Sequence, residues 1–409
     1  MIPRLKPYLG SQEFKALFQR IDNAVSRFED AFARKFEAKW ALAFPYGRSA
    51  LWAMFNAFGI ENAEVIMPAY TCDVVAHAIV LSGNIPRFVD ITLYDYNMDL
   101  NLVAEAITEK TKAVIATHLF GYPLDVDLLR EIVNDAEARF GHKIWIIQDC
   151  AHSFGAQWKG RFVSNEGDVA LYGLNISKVI TSIFGGMLTT NDTRLYQQLC
   201  DWRDSHYKSP SALKVLRRQI YLMAVYPAFH ESLYGLVFWL QEQTPFLDYL
   251  TKAYHLDEKI HFPPDFQDRM LPVEAQVGLV QLDKYSDIVQ QHRVLAEYYS
   301  SQLSDFSINW VLPPLVEGAT YSHFVLRLPE GMRAPLLKVA SRFGLQLGGG
   351  VDYVVPEIDA YSAYHSRSVP NASLAARTLV NLPLHLTDIE SASRVTKALK
   401  VSAKEVYGG

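Results

Sequence analysis

Cysteine is scarce in this sequence, with only Cys72, Cys150 and Cys200 among 409 residues. Three scattered cysteines are too few for a disulfide framework, and no CxxC pair indicates zinc or redox chemistry. We therefore expect no metal site and a protein that folds in a reducing compartment, the cytoplasm.

Long apolar runs and an excess of positive charge are also absent. No uninterrupted apolar stretch reaches the roughly 18 residues of a membrane-spanning helix, and the first twenty residues lack the apolar core of a signal peptide. The formal net charge of −5 provides no basic stripe for a nucleic-acid backbone. Small anionic substrates must therefore be bound by local positive charge.

Short apolar runs alternate with amphipathic stretches between residues 41 and 190. This alternation is typical of βα units that build a mostly parallel sheet between helices, an α/β fold. The pattern predicts strands at 64–68, 87–90, 113–118, 144–149 and 169–174, and helices at 49–58, 71–81 and 126–139.

The chain is long enough for two or three folding units. We expect an N-terminal helical segment at 1–40, a large domain at 41–262 and a smaller C-terminal α+β domain at 263–409, entered through a helix that begins near Leu271.

Residues 205–262 interrupt the alternating pattern with a stretch rich in leucine and aromatic residues, which also contains Arg217 and Arg218. One interpretation is a helical insertion that packs on its own domain or on a partner subunit. The other is a peripheral membrane contact through residues 212–241, because adjacent arginines beside aromatic rings suit an anionic interface. The sequence does not separate the two.

A glycine-containing turn, Tyr46-Gly47-Arg48-Ser49, opens the first predicted helix of the large domain. Gly47 lets the backbone come close to a ligand, and the free amides of a helix N-terminus bind phosphate. Arg48 and the Ser49 hydroxyl can add donors. The alternative is an ordinary helix cap.

A carboxylate, Asp149, ends the predicted strand at 144–149 and is followed closely by His152. A buried carboxylate is costly unless it meets a cation or a strong donor. The protonated pyridine nitrogen of pyridoxal phosphate is such a partner, and His152 can then lie near the same ring. The alternative is an aspartate that caps the next turn.

Lys178 follows the predicted strand at 169–174 and precedes Gly185-Gly186. A lysine in a partly desolvated pocket becomes an amine that can form an imine, although most lysines are solvated surface charges. A phosphate-binding turn, then a strand-end aspartate, then a lysine about thirty residues later is the linear order of fold type I pyridoxal-phosphate enzymes.

The chain closely resembles the DegT/DnrJ/StrS family of sugar aminotransferases over residues 41–202 and 267–400. The matching blocks include YGRSALWAMFNAFGI, VIMPAYTCDVVAHAIVLSGNIPRFVDI, TKAVIATHLFGYPLDVD, DCAHSFGAQWKGRFVSNEGDVALYG, FGGMLTTND, RMLPVEAQVGLVQLDK and LVNLPLH. The resemblance implies a fold type I enzyme with a mostly parallel seven-stranded sheet and a smaller C-terminal domain. It also implies amino transfer from glutamate to a keto-sugar nucleotide, in homodimers with shared active sites.

Site residues follow from the same resemblance. Lys178 matches the lysine that holds pyridoxal phosphate as a Schiff base, Asp149 the partner of the pyridine nitrogen, and His152 the residue beside the ring hydroxyl. Arg48 and Ser49, with Gly47, fall on the phosphate-binding turn. Asn175, three residues before the lysine, can also reach the phosphate.

Some positions depart from the family pattern. Cys72 stands where an aromatic ring usually stacks on the cofactor, and we expect Tyr70 or His152 to compensate. Gly173 replaces a phosphate-binding serine, and Phe184 replaces a glutamate. Gln267 aligns with the asparagine that reaches across from the other subunit. A family branch that removes a sugar hydroxyl has histidine in place of the lysine, and Lys178 argues against that branch.

Two alternatives to amino transfer follow from these departures. The first is a pyridoxal-phosphate-dependent dehydratase or lyase that acts on a non-sugar substrate. The second is a degenerate family member that binds a ligand or docks on a membrane.

Overall fold

The computed structural model describes residues 1–228, 259–306, 309–364 and 367–407. A seven-stranded sheet forms the centre. Its strands are β1 (Trp40–Phe44), β2 (Glu64–Pro68), β3 (Ile85–Val89), β4 (Thr111–Thr117), β5 (Trp145–Asp149), β8 (Val169–Gly173) and β9 (Gly186–Thr190), while β6 (Gln157–Trp158) and β7 (Arg161–Phe162) form a separate hairpin. The strand order in the large sheet is β1-β9-β8-β5-β4-β2-β3.

The sheet is mostly parallel, as predicted. Strands β3, β2, β4, β5 and β8 pair in parallel, and β9 runs antiparallel to its neighbours β8 and β1. All five predicted strands and all three predicted helices are present, with ends within two residues of the predicted ones. The expected α/β fold with a mostly parallel seven-stranded sheet is confirmed.

Helices cover both faces of the sheet and build the rest of the chain. They are α1 (Ser11–Ala16), α2 (Ala24–Lys35), α3 (Gly47–Ala57), α4 (Asp73–Leu81), α5 (Leu100–Ala106), α6 (Val126–Phe140), α7 (Thr193–His206), α8 (Ala212–Ala228), α9 (Pro272–Leu303), α10 (Arg333–Arg342), α11 (Pro370–Thr378) and α12 (Ile389–Tyr407). Both faces of the sheet are buried, as strand β5 shows. Its neighbouring residues Ile146 and Ile147 point to opposite faces and belong to different apolar clusters.

The C-terminal part has its own small sheet, an antiparallel pair of β10 (Phe324–Arg327) and β11 (Leu379–Leu382). Helix α9 joins it to the large sheet, because Gly278 near the start of α9 contacts the buried Phe28 ring of α2, whereas Tyr299 near its end packs on Phe324. The domain boundaries after residues 40 and 262 remain predictions.

The first ten residues are extended rather than helical, whereas the predicted helix of the N-terminal segment is divided into α1 and α2. Pro3 and Pro7 explain the difference, because proline provides no amide donor for a helix. Ile2 instead bonds to backbone groups of Gly344 and Gln346, at 2.8 and 3.0 Å.

Helix α8 begins the predicted insertion, and residues 229–258 lie outside the described chain. On α8, Lys214 pairs with Asp265 and Asp268, each at 2.7 Å, and Arg218 pairs with the buried Glu274 at 2.9 Å. These ion pairs attach one side of α8 to the protein core. Among the described residues, no helix has both the length and the apolar character needed to cross a lipid bilayer.

Strand β9 brings the sheet into direct contact with the start of α3. A Cβ atom on Gly186 would lie 2.5 Å from the backbone nitrogen of Gly47, closer than real Cβ atoms approach. Only glycine therefore permits this contact, which fixes the N-terminus of α3 beside the carboxyl end of β8.

Candidate active site

A cavity of about 820 Å³ opens at the carboxyl ends of β5 and β8, where α3 and α4 begin. Ligands collect at this edge in open α/β sheets. Seven of the nine predicted site residues line the cavity: Gly47, Arg48, Cys72, Asp149, His152, Asn175 and Lys178.

The N-terminus of α3 faces this cavity. The first helical hydrogen bond runs from Ala50 N to Tyr46 O at 3.0 Å, so the amides of Gly47, Arg48 and Ser49 belong to the unpaired first turn. Ser49 is not part of the cavity lining, but its fully buried hydroxyl has no hydrogen-bond partner among the described residues. Unpaired amides and an unpartnered hydroxyl suit an anionic group such as a phosphate.

Asp149 is only 3 % exposed at the end of β5. Its carboxylate accepts hydrogen bonds from the Ala151 amide at 3.1 Å and the Thr117 hydroxyl at 3.3 Å. Burial raises the pKa of this carboxyl, against the lowering effect of the two donors and of the Lys178 charge. No described cation hydrogen-bonds to Asp149, so the carboxylate can accept a positively charged partner from a ligand.

Lys178 lines the same cavity as Asp149 and lies in the loop between β8 and β9. The loop is held by backbone bonds, among them Lys178 N to Asn175 O at 3.1 Å. Burial lowers the pKa of the Lys178 amine, and the negative charge of Asp149 acts in the opposite direction. A lowered pKa increases the neutral fraction of the amine, which is the nucleophilic form.

Asn175 is oriented by its own loop. Its side-chain oxygen accepts hydrogen bonds from the Ser177 amide at 3.1 Å and the Ser177 hydroxyl at 2.6 Å. The amide nitrogen of Asn175 is therefore the side-chain group that can donate to a ligand in the cavity.

His152 forms a ring stack that the sequence did not predict. Its imidazole lies 5.1 Å from that of His323, at an interplanar angle of 22°, and 6.2 Å from the Phe120 ring. Burial, assisted by the Lys178 charge, lowers the pKa of His152 well below its ordinary value and that of His323 to about 3. Both imidazoles are thus neutral. The sequence gives no signal for His323, because it is a single histidine directly before β10.

Cys72 caps the N-terminus of α4 where the family usually has an aromatic ring. Tyr70 does not replace that ring, because it is buried, outside the cavity lining, and donates its hydroxyl to Val351 O at 2.9 Å. Among the described residues, His152 and Tyr46 are the aromatic side chains that line the cavity.

Gln267 lies away from the cavity of its own chain, in the turn before α9. Its carbonyl accepts a hydrogen bond from Lys208 N at 2.8 Å. The expected role of Gln267 in the site of a partner subunit remains a prediction.

Comparison with known sequences identifies relatives over most of the chain. The sequence model of the DegT/DnrJ/EryC1/StrS aminotransferase family matches residues 15–219 and 246–400. GDP-perosamine synthase of Escherichia coli O157:H7 is 28% identical over 312 residues, which is 74% of this chain and 71% of that protein. GDP-perosamine synthase of Vibrio cholerae is 33% identical over 200 residues, 47% of this chain and 53% of that protein.

Solved structures share the fold. A Streptococcus pneumoniae protein assigned as a sugar aminotransferase, in its PMP form, superimposes with a TM-score of 0.77 at 21% identity, over 99% of this chain and 100% of its own. GDP-4-keto-6-deoxymannose-3-dehydratase of Escherichia coli gives 0.76 at 18% identity, over 98% of this chain and 99% of its own.

The extent of the family match confirms the expected family, enzyme class and cofactor. The chain belongs to the DegT/DnrJ/EryC1/StrS aminotransferase family and is a pyridoxal-phosphate-dependent aminotransferase.

Proposed function

We propose that this enzyme transfers the amino group of glutamate to a keto-sugar carried on a nucleotide, as in the synthesis of cell-surface polysaccharides or secondary-metabolite sugars. The observation that carries the proposal is the buried carboxylate of Asp149, which lines the same cavity as Lys178 and interacts electrostatically with its amine. The GDP-perosamine synthases among the relatives support a sugar nucleotide as acceptor.

The residues at the cavity fit pyridoxal phosphate at three points. Asp149 needs a cationic partner, which a protonated pyridine nitrogen supplies. The unpaired amides of α3 and the buried hydroxyl of Ser49 suit the phosphate group. Lys178, with its lowered pKa, suits an aldehyde.

Pyridoxal phosphate supplies a carbonyl carbon that takes up amino groups and a ring that withdraws electrons from the attached carbon. Asp149 would hold the proton on the ring nitrogen, because its carboxylate is buried without another cation. Lys178 would move a proton through Nζ, since its amine titrates more easily than a solvated lysine. Neutral His152 would orient the ring without adding positive charge.

A dehydratase or lyase remains the competing hypothesis. The dehydratase among the solved structures has the same fold, so the fold alone does not distinguish elimination from amino transfer. The family branch that removes a sugar hydroxyl has histidine at the position of Lys178. The presence of lysine here therefore favours amino transfer. A degenerate binding protein is disfavoured, because both Asp149 and Lys178 line the cavity.

We also propose a homodimer in which Gln267 completes the cavity of the partner subunit. This is consistent with the position of Gln267 outside the cavity of its own chain. The predicted peripheral membrane contact through residues 212–241 lies partly outside the described residues, which end at residue 228 and resume at 259. On the described part of α8, Leu213, Leu216 and Ile220 are exposed, which suits a partner subunit as well as a lipid surface. Membrane contact and cytoplasmic location stay predictions.

Glutamate should convert the bound cofactor in the absence of any acceptor. We expect the visible absorbance of the purified enzyme to disappear on addition of glutamate and to return with 2-oxoglutarate. Lys178→Ala should lack this response, because the amine that binds the cofactor and moves the proton is gone. Lys159→Ala, at an exposed lysine paired with Asp127, is the control. A wild-type spectrum that ignores glutamate would favour the dehydratase or another donor.

Removal of the Ser49 hydroxyl should have opposite effects on the stability of the cofactor-free protein and on its affinity for the cofactor. Ser49→Ala should leave the cofactor-free protein as stable or up to about 1 kcal/mol more stable, because a buried unpaired hydroxyl disappears. Its affinity for pyridoxal phosphate should fall by about tenfold or more, because a hydrogen bond to a charged group is lost. Thermal unfolding and absorbance titration measure the two effects.

The matched control is Ser300→Ala in α9, whose hydroxyl is also unpartnered but lies away from the cavity. It should leave cofactor affinity unchanged. Equal cofactor affinity in Ser49→Ala and wild type would remove Ser49 from the phosphate site.

Shared active sites should allow two inactive variants to complement each other. When Lys178→Ala and Gln267→Ala chains are co-expressed, mixed dimers carry one fully native site, so about one quarter of all sites should regain the glutamate reaction. A mixture of Lys178→Ala and Asp149→Ala should regain none, because both residues line the same chain's cavity. Equal behaviour of the two mixtures would contradict the role of Gln267.

A further inference from the structure

A second cavity, of about 400 Å³, shares Lys178 with the first. Its walls come from three parts of the chain: the extended N-terminal segment, the loop that carries Lys178, and the C-terminal part around β11. Its lining includes the polar or ionisable side chains of Arg4, Lys6, Asn381 and His385. Among the residues that the structure describes, no aspartate or glutamate lines it.

The N-terminal segment is fixed at both ends of this cavity. At one end, Ile2 exchanges backbone hydrogen bonds with the strand-like residues Gly344 and Gln346. At the other end, the Tyr8 hydroxyl donates to Leu384 O at 3.0 Å and lies 2.7 Å from His292 Nε2. The residues between these anchors are therefore held across the C-terminal part, and the cavity is preformed.

Positive charge dominates the cavity. Arg4 forms no ion pair with a described carboxylate, and its charge helps to lower the pKa of His323 beside the first cavity. Burial lowers the pKa of His385 to about 3 and that of His292 to about 4, so both imidazoles are neutral, and the Lys6 charge adds to the effect at His385. The net charge of the lining is thus positive at neutral pH.

A neutral donor completes the set. The side-chain oxygen of Asn381 accepts a hydrogen bond from Phe324 N at 2.9 Å, which leaves its amide nitrogen as the donor available to a ligand. A guanidinium and an amide donor without a competing acid are groups that bind a carboxylate.

We propose that this second cavity binds a carboxylate of the amino donor, with Arg4 as its main cation and Asn381 as a neutral donor. The assignment rests on the proposed function, because it takes the donor to be an amino acid that reacts at Lys178. Lys178 lines both cavities, so the second cavity adjoins the residue at which the amino group would react.

The diphosphate of the nucleotide acceptor is the other anion that the same chemistry could bind. The two sources are separable, because the reaction of glutamate with the enzyme takes place without acceptor. A defect that appears with glutamate alone belongs to the donor.

The test is a glutamate titration of the wild-type holoenzyme and of Arg4→Gln, followed by absorbance. We expect the half-saturating glutamate concentration to rise about tenfold or more in Arg4→Gln, as a charge-assisted hydrogen bond is lost. Arg4→Lys should recover part of the affinity. Arg20→Gln, at an exposed arginine outside the cavity lining, is the matched control and should behave as wild type.

A second readout does not depend on turnover. Glutarate, which has the two carboxylates but no amino group, is titrated into the same holoenzymes by calorimetry. We expect Arg4→Gln to bind glutarate about tenfold more weakly than wild type or Arg20→Gln.

Each outcome decides one claim. Equal glutamate and glutarate affinities in wild type and Arg4→Gln would overturn the assignment, as would a defect confined to the acceptor. A wild-type enzyme that ignores glutamate would overturn the proposed donor. The glutarate titration alone would then decide whether the second cavity binds a carboxylate.

Discussion

The carboxylate of Asp149 lies at the buried end of β5, and no cation among the described residues hydrogen-bonds to it. The arrangement of the proposed site depends on this one charge. Burial raises its pKa, and two modest donors compensate only part of the desolvation cost. In the proposed function, a cationic ring nitrogen is the partner that this carboxylate lacks. The same low-polarity surroundings lower the pKa of Lys178, so one environment prepares both the acid partner and the amine.

Close backbone contacts hold the first turn of α3 beside these groups. Gly186 on β9 allows α3 to begin against the sheet, because a Cβ atom there would collide with the backbone of Gly47. This contact explains how the first turn of α3 and the loop that carries Lys178 reach the same cavity, although more than a hundred residues separate them in the sequence.

The sequence predicts those parts of the candidate site that lie in short continuous segments of the chain. Strand ends, the glycine turn and the order from Arg48 to Asp149 to Lys178 can be recognised in short windows, and seven predicted residues line the cavity. His323 and Arg4 had no such signal, because each depends on contacts between distant segments. The sequence pattern predicts helix throughout residues 1–40, but Pro3 and Pro7 keep the first ten residues extended and helix begins only at α1.

In the proposed function, Lys178 holds pyridoxal phosphate in the cavity between α3 and β5. Reduction of the holoenzyme with borohydride, followed by proteolysis and mass spectrometry of the peptides, tests this role directly, because reduction makes the link between lysine and cofactor permanent. We expect the added mass of the reduced cofactor on the peptide that contains Lys178. The same mass on another lysine, or on none, would contradict the role of Lys178.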